Sequence, residues 1–167
     1  MRKIHGFAVG VLALSLAACG SETSGTIEGE DGETGEYTIN RSTGETTATI
    51  ETDEGTATLR SGANIDVDLP GGFTPYPGAS VISNTEFSQG DGAGAMLLFQ
   101  TSDSPDAVIA FYRQQADDAG ITIELDAKIN GGAMLAGESE DGLTFSINAN
   151  PGAEGTSAQL AVGNKLD

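Results

Sequence analysis

Histidine, cysteine and tryptophan are almost missing from this chain, whose 167 residues hold one His, one Cys and no Trp. The two that occur are His5 and Cys19, so beyond residue 19 there is no imidazole and no thiol. Their absence removes a Ser-His-Asp or Cys-His nucleophile, a zinc site with His or Cys ligands, haem held by either residue, and thiol redox chemistry. No G-x-x-x-x-G-K-[ST] loop, G-x-S-x-G elbow or S-x-x-K pair occurs either. Aromatic residues make up 5%, which leaves few platforms for a sugar ring. A carboxylate pair of glycosidase type has 25 acidic candidates and therefore no signal. Basic residues are scarce, seven against 25 acidic ones, for a formal charge of −18. Such an acidic surface repels nucleic acid and anionic head groups, so DNA or RNA binding is excluded. The acidity has two readings: solubility in a salty environment, or affinity for divalent cations or a basic partner. No apolar run reaches the roughly 20 residues that a membrane-spanning helix needs.

The longest apolar run, residues 7–18, lies behind Arg2 and Lys3 and ends in small residues, the layout of a secretory signal. Leu16-Ala17-Ala18-Cys19 resembles the bacterial lipobox. The resemblance implies that residues 1–18 are a lipoprotein signal peptide and that Cys19 becomes the lipidated first residue of the mature protein. The alternative is an ordinary secreted protein cut near Ala18. Gly20, not Asp, follows the cysteine, so by the same resemblance the expected location is the bacterial cell envelope, on the outer membrane facing the periplasm. Each buried methylene contributes about 0.8 kcal/mol, so a diacylated Cys19 would hold the membrane without protein contacts. Without residues 1–18 five basic residues remain (Arg41, Arg60, Arg113, Lys128, Lys165) against 25 acidic ones, a net charge of −20.

Residues 19–35 are rich in Gly, Ser, Thr and Glu, with Ile27 the only large apolar side chain. They read as an acidic tether with a random-coil span of roughly 22 Å, holding the folded part clear of the head groups. Residues 36–69 carry three short β-like segments around Tyr37/Ile39, Ala48/Ile50 and Ala57/Leu59, a small β-meander with turns near Gly44 and Gly55. Asp66 and Asp68, two apart, would share one face of a strand. Calcium needs six to eight oxygens and a loop of a kind not present here, so a solvated face is expected and no metal site is assigned.

Residues 70–167 are more orderly. Three prolines around Phe73 and Tyr76 mark a boundary. Strands are expected around Val81 to Phe87 and Ala95 to Gln100. A helix opens at Ser104-Pro105, carries Val108, Ile109, Phe111, Tyr112 and Ala116 as its apolar stripe, and stops before Gly120. Adjacent Phe111 and Tyr112 point about 100° apart, so one ring is expected in the core and the other at the rim, keeping its hydroxyl wet. Beyond Gly120, Ile121, Ile123, Leu125, Ala127 and Ile129 alternate with Thr122, Glu124, Asp126 and Lys128, which predicts one buried and one wet face. A turn at Gly131-Gly132 and three further strands follow. The sum is an α+β fold: an antiparallel sheet of five or six strands with one helix packed on a face, in the order ββα-ββββ, preceded by the meander.

Tyr76-Pro77-Gly78-Ala79, the strand pair ending at Thr101, the Ser-Pro-started helix with Phe111-Tyr112, and the alternating strands after Gly120 resemble the small domain of uncharacterised bacterial envelope lipoproteins, over about residues 70–165. The resemblance implies a fold and a compartment and brings no catalytic residue; a Trp often found after the helix glycine is Ile121 here. The expectation is a lipid-anchored, non-enzymatic interaction or structural module with no cofactor. It would hold the membrane through Cys19 and meet an envelope protein. The alternative is a small-molecule or Ca²⁺-binding lipoprotein, and a hydrolase using only carboxylates comes third.

Overall fold

The computed structural model describes residues 22–28, 34–52, 55–62, 65–89 and 92–164. Cys19 and the expected signal peptide lie outside them. Ten strands follow in chain order: β1 (Glu22–Glu28), β2 (Thr34–Asn40), β3 (Thr46–Thr52), β4 (Gly55–Ser61), β5 (Ser80–Gln89), β6 (Gly92–Thr101), β7 (Ile121–Ile129), β8 (Gly132–Ser139), β9 (Leu143–Gly152) and β10 (Gly155–Asn164). One helix, α1 (Pro105–Asp118), separates β6 from β7.

All ten strands belong to one sheet, ordered β1-β2-β3-β4-β5-β6-β10-β9-β8-β7, and every neighbouring pair is antiparallel. The expected sheet of five or six strands with a separate meander is therefore corrected. The 36–69 segment does not pack on a face of the main sheet; it continues that sheet edge to edge, with Ala57 opposite Phe87 and Leu59 opposite Thr85. Within the tether expected over residues 19–35, the described Glu22–Glu28 forms β1 and pairs with β2 along its whole length, a correction over those seven residues. Strand pairing satisfies backbone groups whatever the side chains are, and threonine suits a pleated surface, so a segment poor in large apolar residues can still extend a sheet. Gly25 faces Tyr37 across the β1–β2 pair, and a Cβ there would meet the phenol oxygen at 2.6 Å. The Tyr37 ring thus covers the gap that the glycine leaves.

The second layer is made by α1 and by the irregular segment before β5. Ser104 caps the helix, its hydroxyl accepting from the Ala107 N–H at 3.3 Å, with Pro105 in the first turn where its missing N–H costs nothing. Gly120 closes it at φ 71°. Val108, Ile109, Tyr112 and Ala116 are buried over β7, β8 and β9. A short 3-10 turn, Pro70–Gly72, lies on β6 and β10. Beside it Phe73 stacks on Phe145 with ring centres 5.2 Å apart, and Tyr76 on Phe99 at 6.2 Å. Asp66 and Asp68 lie in this irregular segment rather than in a strand, and both are exposed.

Two local expectations reverse. Tyr112, not Phe111, is the fully buried ring of the helix pair, and its hydroxyl is dry. The turn after β7 is Asn130-Gly131, both at positive φ, a two-residue hairpin of the kind whose twist matches its strands.

Candidate functional site

The position of the sheet's apolar side chains defines the site. In β6, β10, β9 and β8 the register aligns Leu97, Leu160, Ile147 and Leu135 across four strands. All four face the helix layer and are fully buried or nearly so. Together with Phe99, Tyr112 and Val108 they fill the space under the helix with side chains.

In the other half of the sheet the apolar face changes sides. The change begins in β5, where a bulge between Val81 and Ser83 inserts one residue into the pairing with β6. Before it Val81 pairs with Phe99 and faces the helix layer; after it Asn84 pairs with Leu97 and Glu86 with Ala95, so these polar residues take the helix-layer side. Thr85 and Phe87 turn to the outer side with Met96 and Leu98. Register carries the outer face onward through Ala57 and Leu59, then Ala48 and Ile50, then Tyr37 and Ile39. Nothing among the described elements packs on it. Ile39, Ile50, Leu59 and Ile82 are 38%, 46%, 41% and 42% exposed. No charged side chain of β2 to β6 points to this outer face, although the chain is strongly acidic.

The opposite face of β2 to β5 is polar. Thr38, Thr47, Thr49 and Thr58 lie there with Glu36, Glu51 and Arg60; the hydroxyls of Thr49 and Thr58 stand 3.3 Å apart. One Arg60 nitrogen, Nη1, donates to both Glu86 carboxylate oxygens at 2.7 and 2.8 Å, and Asn84 Nδ2 donates to Glu86 Oε1 at 2.8 Å. Asn84 is wholly buried, and its own Oδ1 has no partner. Glu86 is thus engaged by both neighbours, and beside it lies a shallow depression of about 270 Å³ lined by Thr56, Thr58, Asp68, Pro70 and Ser88 among others.

A second bulge, between Ile123 and Leu125 in β7, corrects the predicted alternation there. Ile121 and Ile123 face the helix layer as expected, but beyond the bulge Asp126 and Lys128 take that side. Each meets α1: Arg113 donates to Asp126 at 2.7 Å and Lys128 to Asp106 at 2.5 Å. Leu125, Ala127 and Ile129 turn outward, with Ile129 62% exposed.

The tyrosines are structural. Tyr76 donates to Asp103 Oδ2 at 2.6 Å; the carboxylate acceptor first, then burial, pushes its hydroxyl up from about 10 to about 12. Burial likewise pushes the Tyr112 hydroxyl up, opposed in part by the Tyr76 backbone N–H that approaches it; that oxygen makes no hydrogen bond of full geometry. Among the described residues no group of three or more His, Cys, Asp or Glu side chains is placed to hold a metal ion. Asp66 and Asp68 gain no third ligand. Cys19, the one site residue expected from sequence, lies outside the described residues.

The outer patch was missed in the sequence. Its signal was there in part: Ala48 and Ile50 alternate with Thr47, Thr49 and Glu51, which announces a strand with one apolar face. The alternation does not say that nothing covers that face.

A family model described as START domain-like matches residues 81–159. The chain is similar to that family from the start of β5 into β10, including α1, and β1 to β4 lie before the match. No curated protein and no solved structure matches the chain.

Proposed function

We propose that this chain is a lipid-anchored protein of the bacterial envelope, held through Cys19, that works by binding another protein rather than by catalysis. The observation that carries the reading is the uncovered, uncharged outer face of β2 to β6. An antiparallel sheet commonly buries one face and wets the other. Here β2 to β4 expose the apolar face as well, in a chain with acidic side chains to spare. Exposed apolar area of this extent, bordered by polar residues, is the usual mark of a protein or membrane contact. The lipobox-like Leu16-Ala17-Ala18-Cys19 supports the anchor, and Gly20 supports outer-membrane sorting.

The early start of β1 changes how such an anchor would act. Glu22 is three residues beyond Cys19, a reach of at most about 10 Å. An acylated Cys19 would keep the β1 edge close to the bilayer instead of letting the fold float free.

Fractionation of cells expressing the wild type and Cys19→Ser tests the anchor. The wild type is expected in membranes and the variant in the soluble envelope fraction. Full membrane retention of the variant refutes the anchor. In-cell cross-linking then tests the binding role, which fails if the outer face captures no protein at all.

A further inference from the structure

We infer that the occupant of the outer face of β2 to β6 is a second copy of this chain, the two sheets packing face to face. This deepens the interaction reading above by naming the partner, and it does not depend on lipidation.

Charge is the first argument. Each copy carries a large negative charge, so two copies repel wherever acidic groups come close. On this molecule the acidic strand residues Glu36, Glu51 and Glu86 all point to the opposite side of the sheet. The uncharged outer face is therefore the surface through which two such chains approach at least electrostatic cost. A basic partner would gain nothing from a face that displays no carboxylate.

Size and shape give the second. Five strands spaced about 4.8 Å apart, each roughly 25–30 Å long, present about 700 Å². Two copies would bury about 1,400 Å², within the range of specific, stable interfaces. Sheets stack about 10 Å apart through interleaved side chains, and the outer residues here are of that kind. Ile50, Leu59 and Phe87 occupy the middle, Tyr37 and Ile39 one side, Met96 and Leu98 the other, and Thr46, Ser61, Thr85 and Gln100 the polar positions between and around them. Aromatic residues and methionine are the types enriched at such contacts. A two-fold arrangement lets one patch serve both partners.

The third argument comes from the other outer-face patch. Leu125, Ala127 and Ile129 of β7 also point outward, but the intervening β9 and β10 present Ser146, Asn148, Ser157 and Gln159. That polar band separates the two patches, so the β7 residues lie outside the contact and provide an internal control.

The test is the mass in solution of the full-length chain, extracted in a mild non-ionic detergent and measured by sedimentation equilibrium for wild type, Leu59→Glu, Leu59→Ala and Ile129→Glu. The wild type is expected at twice the chain mass. Leu59→Glu buries an unpaired charge in the contact and should weaken the dimer on the order of 100-fold. Leu59→Ala, a milder change that keeps the fold if the charge does not, should weaken it less, and Ile129→Glu should leave it intact. In-cell bismaleimide cross-linking of Ala57→Cys gives the same reading without detergent, with a band of two chains expected. A wild type that is monomeric at about 100 µM, together with no two-chain band from Ala57→Cys, overturns the proposal. So does a dimer that Ile129→Glu dissolves and Leu59→Glu does not. Monomers that float with neutral phosphatidylcholine vesicles, and lose that on Leu59→Glu, would give the face to the bilayer instead. Loss of membrane retention in Cys19→Ser alone would bear on the anchor and not on the dimer.

Discussion

Removing a single oxygen from the centre of the fold should make this protein more stable. Tyr112 is fully buried beneath the helix layer, with Phe99 and Phe111 against it at ring-centre distances of 6.0 and 5.1 Å. Its hydroxyl makes no hydrogen bond of full geometry, although the Tyr76 backbone N–H approaches it. Burying such a group unpaired costs about 1–3 kcal/mol in proteins. Tyr112→Phe keeps the ring and its contacts and deletes only the unpaired group, leaving a void of one atom that gives back a few tenths of a kcal/mol. The net gain is at most about 1 kcal/mol, reduced by whatever the Tyr76 N–H supplies. With a urea slope of about 2 kcal/mol per M, the unfolding midpoint should rise by up to about 0.5 M. Tyr76→Phe supplies the contrast, because its hydroxyl donates to the Asp103 carboxylate. Losing that bond should cost about 1 kcal/mol, the lower part of the range for charged acceptors, since Asp103 is exposed and water can replace the phenol. Urea unfolding followed by circular dichroism gives both numbers. A Tyr112→Phe midpoint lowered as far as that of Tyr76→Phe would refute the reasoning, since it would mean that the Tyr112 hydroxyl is bonded after all.

The same tyrosines set an alkaline limit. Tyr76 has a folded-state value of about 12, above the ordinary 10, so its contribution is complete below pH 10 and is lost as pH rises through 12. Tyr112 is shifted in the same direction. Urea midpoints taken from pH 9 to 12 should fall across this window, and fall less in Tyr76→Phe; a flat profile would contradict the assignment. Gly137 lies against the Thr122 carbonyl of β7, where a Cβ would collide with main chain that cannot swing away. Gly137→Ala should therefore destabilise by about 1–3 kcal/mol, read as a lower thermal midpoint, and an unchanged midpoint would show that the β7 edge gives way freely.

The parts of this fold with local causes were legible. Ser104, Pro105 and Gly120 mark the ends of α1 by their own chemistry, and the apolar alternation of Leu143, Phe145 and Ile147 marks β9. What escaped was decided at a distance. β1 has almost no apolar signal because its stability comes from pairing with β2 and not from a buried face. Which of Phe111 and Tyr112 goes inside depends on how the helix sits on the sheet, and spacing of 100° per residue cannot fix that. No sequence pattern states that β4 will hydrogen-bond to β5 and make one sheet of two expected units. The Cys19 motif lies outside the described residues.

The two bulges explain why the outer face was hardest to foresee. Side chains alternate with a period of two, so one inserted residue sends everything after it to the other side. Without the bulge after Val81, a regular β5 would point Phe87 toward the helix layer and Asn84 and Glu86 outward, placing a carboxylate in the middle of the present patch. With it, Glu86 meets Arg60 and Asn84 on the polar side, and Phe87 joins Leu59 and Met96. The bulge after Ile123 works the same way at the far edge, bringing Asp126 and Lys128 within reach of α1 while turning Leu125 and Ile129 out. Between them β6, β10, β9 and β8 keep strict alternation, with Leu97, Leu160, Ile147 and Leu135 under the helix layer. The bulges thus stand on the two strands that flank the covered region, and each exchanges apolar for charged side chains across the sheet. The uncharged outer patch follows from where a residue was inserted in β5 as much as from which residues β2 to β6 contain.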